Sequence, residues 1–327
     1  MVLDPRLRDW LLEGDPALRW QVERDLLGAP ATTWRATRAR VATEGFGARL
    51  LALQDSDGQW AGGAYFPRGF DGAAEEEGQP YTATTPSLAA LREWGLDAAV
   101  LGDTAARIGA SSRWEYDGLP YWGGEVDVCI NAETLATGAW LGVDVAPLAD
   151  WFVEHRLPDG GWNCEWVNGS TASSFHSTLN AIRGLLRYEQ SVGEDERLRA
   201  ARYGGEEYLL QRRLLRRRST GELVAPWVAH LAHPFRWFYS SLKALDHLRA
   251  ASLHDGVPPD PRLAEAVELL RADRTPEGAW IQEHRHPGAV WFETDAPVGE
   301  PSRWLTLIAT RVVTWWDAGS APRTMEG

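Results

Sequence analysis

The chain has 327 residues, 44% of them hydrophobic and 24% charged, and no apolar run approaches the roughly 20 residues that a spanning helix requires, so no membrane span is expected. The formal net charge of -13, from 46 acidic and 33 basic side chains, argues against a surface that gathers nucleic acid through its phosphates. The opening MVLDPRLRDW mixes both signs of charge without an apolar core segment, so no secretory leader is read and a cytoplasmic location is expected.

A short helix is expected near 4–12, with Leu7, Trp10 and Leu11 on one side. Asp15 before Pro16 reads as a helix cap followed by a first-turn proline, predicting a helix over 16–28. Further apolar helices rich in small residues are expected near 86–94, 127–141, 174–189, 235–251 and 301–317. Between them lie amphipathic stretches near 34–54, 98–110, 145–156, 196–217 and 260–273, with apolar residues at helical spacing. The basic run from Arg212 to Arg218 follows Glu206 and Glu207 and reads as a solvated helix face.

Loops rich in Gly, Pro, Asp and Trp precede the apolar helices: Asp57-Gly58-Gln59-Trp60, Pro120-Tyr121-Trp122-Gly123-Gly124, Asp159-Gly160-Gly161-Trp162, Ala225-Pro226-Trp227 and Glu277-Gly278-Ala279-Trp280. Their uneven spacing makes a degenerate repeat with insertions. Six inner and six outer helices, the segment 4–12 completing the outer set, predict an all-α (α/α)6 toroid over residues 1–327 as one domain. An open helical solenoid is the competing arrangement. In a ring, the long Trp/Gly-rich loops emerge at one mouth, while turns such as Gly142-Val143-Asp144 lie at the other. The elaborated mouth is the expected place for a site.

These repeated Asp-Gly-x-Trp and Gly-Gly-Trp loops, as in Gln54–Trp60 and Leu157–Trp162, resemble the squalene/hopene cyclase and protein prenyltransferase beta-subunit superfamily. The resemblance implies the toroid but several chemistries, because one fold hosts many functions. A narrower likeness to prenyltransferase beta subunits runs through Asp127-Val128-Cys129, Gly160-Gly161 and Phe175-His176-Ser177. It implies Asp127, Cys129 and His176 as ligands of a catalytic Zn2+ with one position open for substrate or water. Where those enzymes are basic before the Asp-x-Cys segment, this chain has Glu125, which opposes binding of a multiply charged phosphate there. Ordinary protein prenylation is therefore not expected, and no obligatory partner subunit is evident. Terpene cyclases of the family use Asp-x-Asp-Asp. Glu125-Val126-Asp127-Val128 can be laid against it with Asp127 as a metal-free acid, although the final Asp is missing.

The residues support a metal site independently. Asp127 and Cys129 fall at the entrance of one inner helix and His176 at the entrance of the next, and O, S and N donors suit zinc. Two cysteines form no disulfide framework in a chain of this size. Cys164, two residues after Trp162, is a possible fourth ligand, which would make the metal structural. Glu165 is a candidate to orient His176 or act as general base, and His233 to manage a proton. Trp122, Trp162, Trp227, Trp237 and Trp291 are candidates to contact the apolar body of a small-molecule substrate, with Arg236 and Tyr239 at its head. A zinc-dependent transferase or hydrolase acting on an isoprenoid-like or thiol substrate is the favoured expectation. A metal-free terpene cyclase and a non-enzymatic ligand-binding or protein-interaction toroid are the alternatives.

Overall fold

In the computed structural model, which describes residues 3–72 and 78–320, most of the chain is helical. The helices are α1 (Pro5–Leu12), α2 (Pro16–Asp25), α3 (Ala31–Ala39), α4 (Gly45–Leu51), α5 (Thr84–Glu93), α6 (Thr104–Ser111), α7 (Val128–Trp140), α8 (Ala146–Glu154), α9 (Phe175–Val192), α10 (Glu196–Leu210), α11 (Ser241–Asp255), α12 (Ala264–Ala272) and α13 (Arg303–Ser320). A two-residue antiparallel pair, β1 (Trp280–Ile281) and β2 (Pro301–Ser302), sits before α13. Among the described residues no helix is long and apolar enough to cross a membrane.

Local chemistry sets the helix ends. Asp4, Asp15, Asp127 and Asp195 each accept backbone N–H bonds as N-caps, filling donors that a helix start leaves open. The stretch expected as one helix over 34–54 divides into α3 and α4, with Gly45, the first residue of α4, at φ +61°. The helix expected over 196–217 stops at Leu210, where Arg213 and Leu214 adopt positive φ. The one expected from 235 starts at Ser241, capped by Ser240, and residues 235–239 are left non-helical.

Three of the Asp/Gly/Trp loops are built identically. The indole N–H of Trp60, Trp162 and Trp280 donates to the carbonyl ten residues upstream, that of Leu50, Phe152 and Leu270, at 2.8–2.9 Å. Their backbone N–H groups donate to the hydroxyls of Thr84, Thr178 and Thr306 on the following helix. Gly58, Gly160 and Gly278 turn the chain between these points with φ near +90 to +102°, which only glycine adopts cheaply. Each tryptophan thus ties the end of one helix to the start of the next. All three rings are almost completely buried.

α7 packs against α5 and α9, α9 against α11, α11 against α13, and α13 against α2. The indole of Trp20 on α2 donates to Trp94 O just beyond α5, and the Gln21 amide donates to Glu93 O. α3 and α4 pack on α2, α8 on α7 and α9, α10 on α8 and α9, and α12 on α11 and α13. α1 packs on α2, and its Trp10 carbonyl accepts from Arg303 at the start of α13. Arg202 of α10 is fully buried and binds Glu189, Glu206 and Asp255, tying α9, α10 and α11.

Candidate functional site

The length of α5, the N-terminal halves of α7, α9 and α11 and the start of α13 face a chamber of about 140 Å3. Its aromatic wall includes Tyr65, Trp94, Trp237, Trp291, Phe292 and Trp304, and its polar wall includes Cys129, Asn180, His233, Arg236 and Lys243. Glu93 and Arg183, paired at 3.0 Å, also line it.

At the entrance of α7, Asp127, Cys129 and Cys164 bring one carboxylate oxygen and two sulfurs within 4.8 Å of one another. The two Sγ atoms are 3.5 Å apart. That is far beyond a disulfide bond of about 2.05 Å. It is close to the roughly 3.8 Å that separates two thiolates on a tetrahedral zinc with bonds near 2.3 Å. Asp127 uses Oδ1 to accept from the N–H groups of Cys129 and Ile130 at 2.7 and 3.0 Å. Cys164 is anchored by Ser177, which accepts its N–H at 3.0 Å and donates to its sulfur at 3.2 Å. The neighbouring Cys164 thiol, burial and the Asp127 charge all push the Cys129 thiol pKa well up, the tension a bound cation would relieve. One carboxylate oxygen and two sulfurs in this arrangement could hold a metal ion.

His176, expected as a ligand, lies outside that group, and Cys164, expected as a possible fourth ligand, lies within it. Its Nδ1 accepts the Tyr239 backbone N–H at 2.8 Å, and its ring stacks on Trp227 with centroids 4.7 Å apart. Burial and Lys243 lower its pKa to about 4, so at neutral pH the ring is neutral and carries its proton on Nε2. In this arrangement Nδ1 is occupied by the Tyr239 N–H and Nε2 by its own proton. Glu165 is exposed and accepts from the Asn168 amide at 2.7 Å, so its expected role beside His176 is not supported.

No family model matches the chain, and neither does any curated protein.

The aromatic candidates divide. Trp237 and Trp291 line the chamber, their indole N–H groups held by Gln79 and Ser87. Trp122 and Trp162 do not: they donate to Ala105 O and Phe152 O and pack in the core. Trp227 is committed to His176, and the buried Tyr239 gives its hydroxyl to Leu214 O. Arg236 does line the chamber. Its guanidinium lies 4.2 Å over Tyr81, forms no ion pair among the described residues, and is lowered to about 10 by burial.

His233 stacks on Trp304, and its Nδ1 lies 3.6 Å from Asp295, just beyond hydrogen-bond reach. Burial, with Arg236 and Arg311 adding repulsion, lowers His233 to about 3, while burial raises Asp295 to about 6 against its hydrogen bond from Ser302. At neutral pH the imidazole is therefore neutral, and the same surroundings that keep it so make it a weak base.

Lys243 is the residue that sequence reasoning missed. It is the only lysine in the chain, a signal open to anyone counting. It is 2% exposed and donates to Asn180 Oδ1, Arg236 O and Phe238 O at 2.7, 2.9 and 3.2 Å. Burial lowers its pKa to about 7, but three acceptors match the three protons of an ammonium and favour the charged form. It pins residues 236–238, which carry Arg236 and Trp237 into the chamber.

Proposed function

We propose that this protein is a zinc-dependent transferase built as an (α/α)6 toroid, acting on a small substrate with an apolar body and an anionic head. The observation that carries this reading is the convergence of Asp127, Cys129 and Cys164, with Cys129 on the wall of an aromatic chamber. The toroid is supported by the neighbour relations of α2, α5, α7, α9, α11 and α13, which return to their starting helix. The likeness of the Asp-Gly-x-Trp loops and the Asp-x-Cys segment to the prenyltransferase and terpene cyclase superfamily points the same way.

Asp127, Cys129 and Cys164 would hold the ion, whose Lewis acidity activates a substrate thiol or polarises an electrophile. The aromatic wall excludes water and takes the apolar body. Arg236, without a carboxylate partner among the described residues, binds the anionic head, and Lys243 fixes the segment that carries it. His233, held neutral by burial, offers a hydrogen-bonding imidazole on the chamber wall rather than a strong base. An apolar cavity of about 150 Å3 holds benzene, so a chamber of about 140 Å3 suits a short substrate better than a thirty-carbon triterpene. Asp127 also serves as a hydrogen-bond acceptor at a helix start, which weighs against its use as a proton-donating acid.

Metal content of purified protein tests the proposal. The wild type should hold one zinc per chain, Cys129→Ser and Cys164→Ser should lose it, and His176→Ala should retain it. A wild type free of zinc after supplementation, or a Cys164→Ser protein that stays fully loaded, overturns the site.

A further inference from the structure

Beyond the Glu93–Arg183 pair lies a second concavity of about 550 Å3, between the C-terminal halves of α7, α9 and α11, the ends of α2 and α5, and the middle of α13. Arg24, Arg38 and Arg92 line it from α2, α3 and α5. Arg183 and Arg187 enter from α9, and Arg249 and Arg311 from α11 and α13. Asp25 pairs with Arg24 and Arg311, Glu133 with Arg92, Glu93 with Arg183, and Asp246 with Arg249 and Arg311. Seven guanidinium groups against these four carboxylates leave a formal excess of three positive charges, within a chain of net charge -13.

Two of the arginines have no carboxylate partner among the described residues. Arg38 donates to Gly95 O at 2.7 Å, and the exposed Arg187 donates only to the side-chain oxygen of Gln190 at 3.1 Å. Helix C-termini carry partial negative charge and account for cations in the last turn, as with Arg24 and Arg92. Arg183, Arg187 and Arg311 lie farther upstream, where that effect has faded. The surrounding protein and the neighbouring Arg183 and Arg92 lower Arg187 to about 10, so its charge sits against its own kind. Burial works against the Glu93 carboxylate, yet Arg183, Arg92, Lys243 and Arg187 outweigh it and hold its pKa below the ordinary value.

We infer that this arginine-lined concavity is a binding site for a small, soluble, multivalent oxyanion of the phosphate-ester or diphosphate class, separate from the aromatic chamber. Guanidinium forks bind such oxygens in pairs, and a concave wall of one sign concentrates the attraction. The free donors of Arg187 and Arg38 face the anion, while the paired arginines supply the surrounding field.

Titration calorimetry with inorganic diphosphate tests it, on full-length protein treated with chelator so that no metal contributes. The wild type should bind one diphosphate, and Arg187→Gln and Arg38→Gln should each weaken binding roughly tenfold or more. Arg187→Gln should keep the wild-type melting temperature, since it strands no carboxylate, whereas Arg38→Gln, which loses the bond to Gly95 O, should melt somewhat lower yet stay folded at the temperature of the titration. Cys129→Ser should bind diphosphate as the wild type does, so failure of the zinc proposal leaves this result intact. Absence of saturable binding at millimolar diphosphate, or undiminished binding by both arginine variants, overturns the site. Co-sedimentation with phosphoinositide vesicles by a protein that ignores free diphosphate also overturns it, because the ligand would then be a lipid headgroup.

Discussion

On the proposed reading Asp127 performs two tasks that a single substitution separates. As N-cap of α7 it needs only an acceptor oxygen, which asparagine supplies almost as well; as a metal ligand it needs its charge. Asp127→Asn should therefore keep thermal stability within about 0.5 kcal/mol of the wild type while zinc affinity falls at least roughly tenfold. Equal zinc affinity in a competition titration would remove Asp127 from the ligand set. Asp127 and Cys129 were readable because a helix entrance gathers residues close in sequence. Choosing Cys164 over His176 was not, since it depends on where the Tyr239 N–H points and on Ser177 holding the loop of Cys164. Lys243 was visible as a lone lysine, but its three acceptors come from α9 and from residues 236 and 238.

At the scale of helices and loops, the tryptophans carry the lesson. The Asp/Gly/Trp repeat announced helix pairs and their approximate positions, and it suggested that its aromatic rings line a cavity. Trp60, Trp162 and Trp280 instead bridge a helix end to the next helix start, a job needing one indole N–H and a large buried ring. Trp162→Phe should leave the Phe152 carbonyl without its donor and a void beside it. The expected cost is about 2–4 kcal/mol in denaturant unfolding, with unchanged affinity for any ligand of the chamber. A drop in ligand affinity without loss of stability would return Trp162 to the site. Helix ends set by backbone conformation, as at Arg213 and Leu214, left no such mark in the sequence.

For the molecule as a whole, the second helix and the last are joined through Arg311 on α13, which pairs with Asp25 of α2 and Asp246 of α11. Replacing it with methionine should cost less than the roughly 3–5 kcal/mol of a fully stranded buried charge, because Asp25 keeps Arg24 and Asp246 keeps Arg249. Burial opposes the Asp246 carboxylate, but Arg311 and Arg249 outweigh it and lower its pKa. A carboxyl lowered on folding contributes stability that is complete above its unfolded value near 4 and is lost as the pH falls below it. The acid limb of a stability curve should therefore steepen below about pH 4. Asp246→Asn should flatten that limb while lowering stability at neutral pH; an unchanged limb would deny the pair this role. The helical class and the order of the elements were legible from periodicity and caps. The ion pairs joining the termini were not, for they match residues nearly three hundred positions apart.

The Glu93–Arg183 pair borders both concavities, so the two share a wall made of a single ion pair. An occupant that draws Arg183 to one side frees Glu93 on the other and changes the charge its neighbour meets. Such coupling is reciprocal by thermodynamic necessity: the factor by which a guest in one compartment alters affinity in the other equals the factor in reverse.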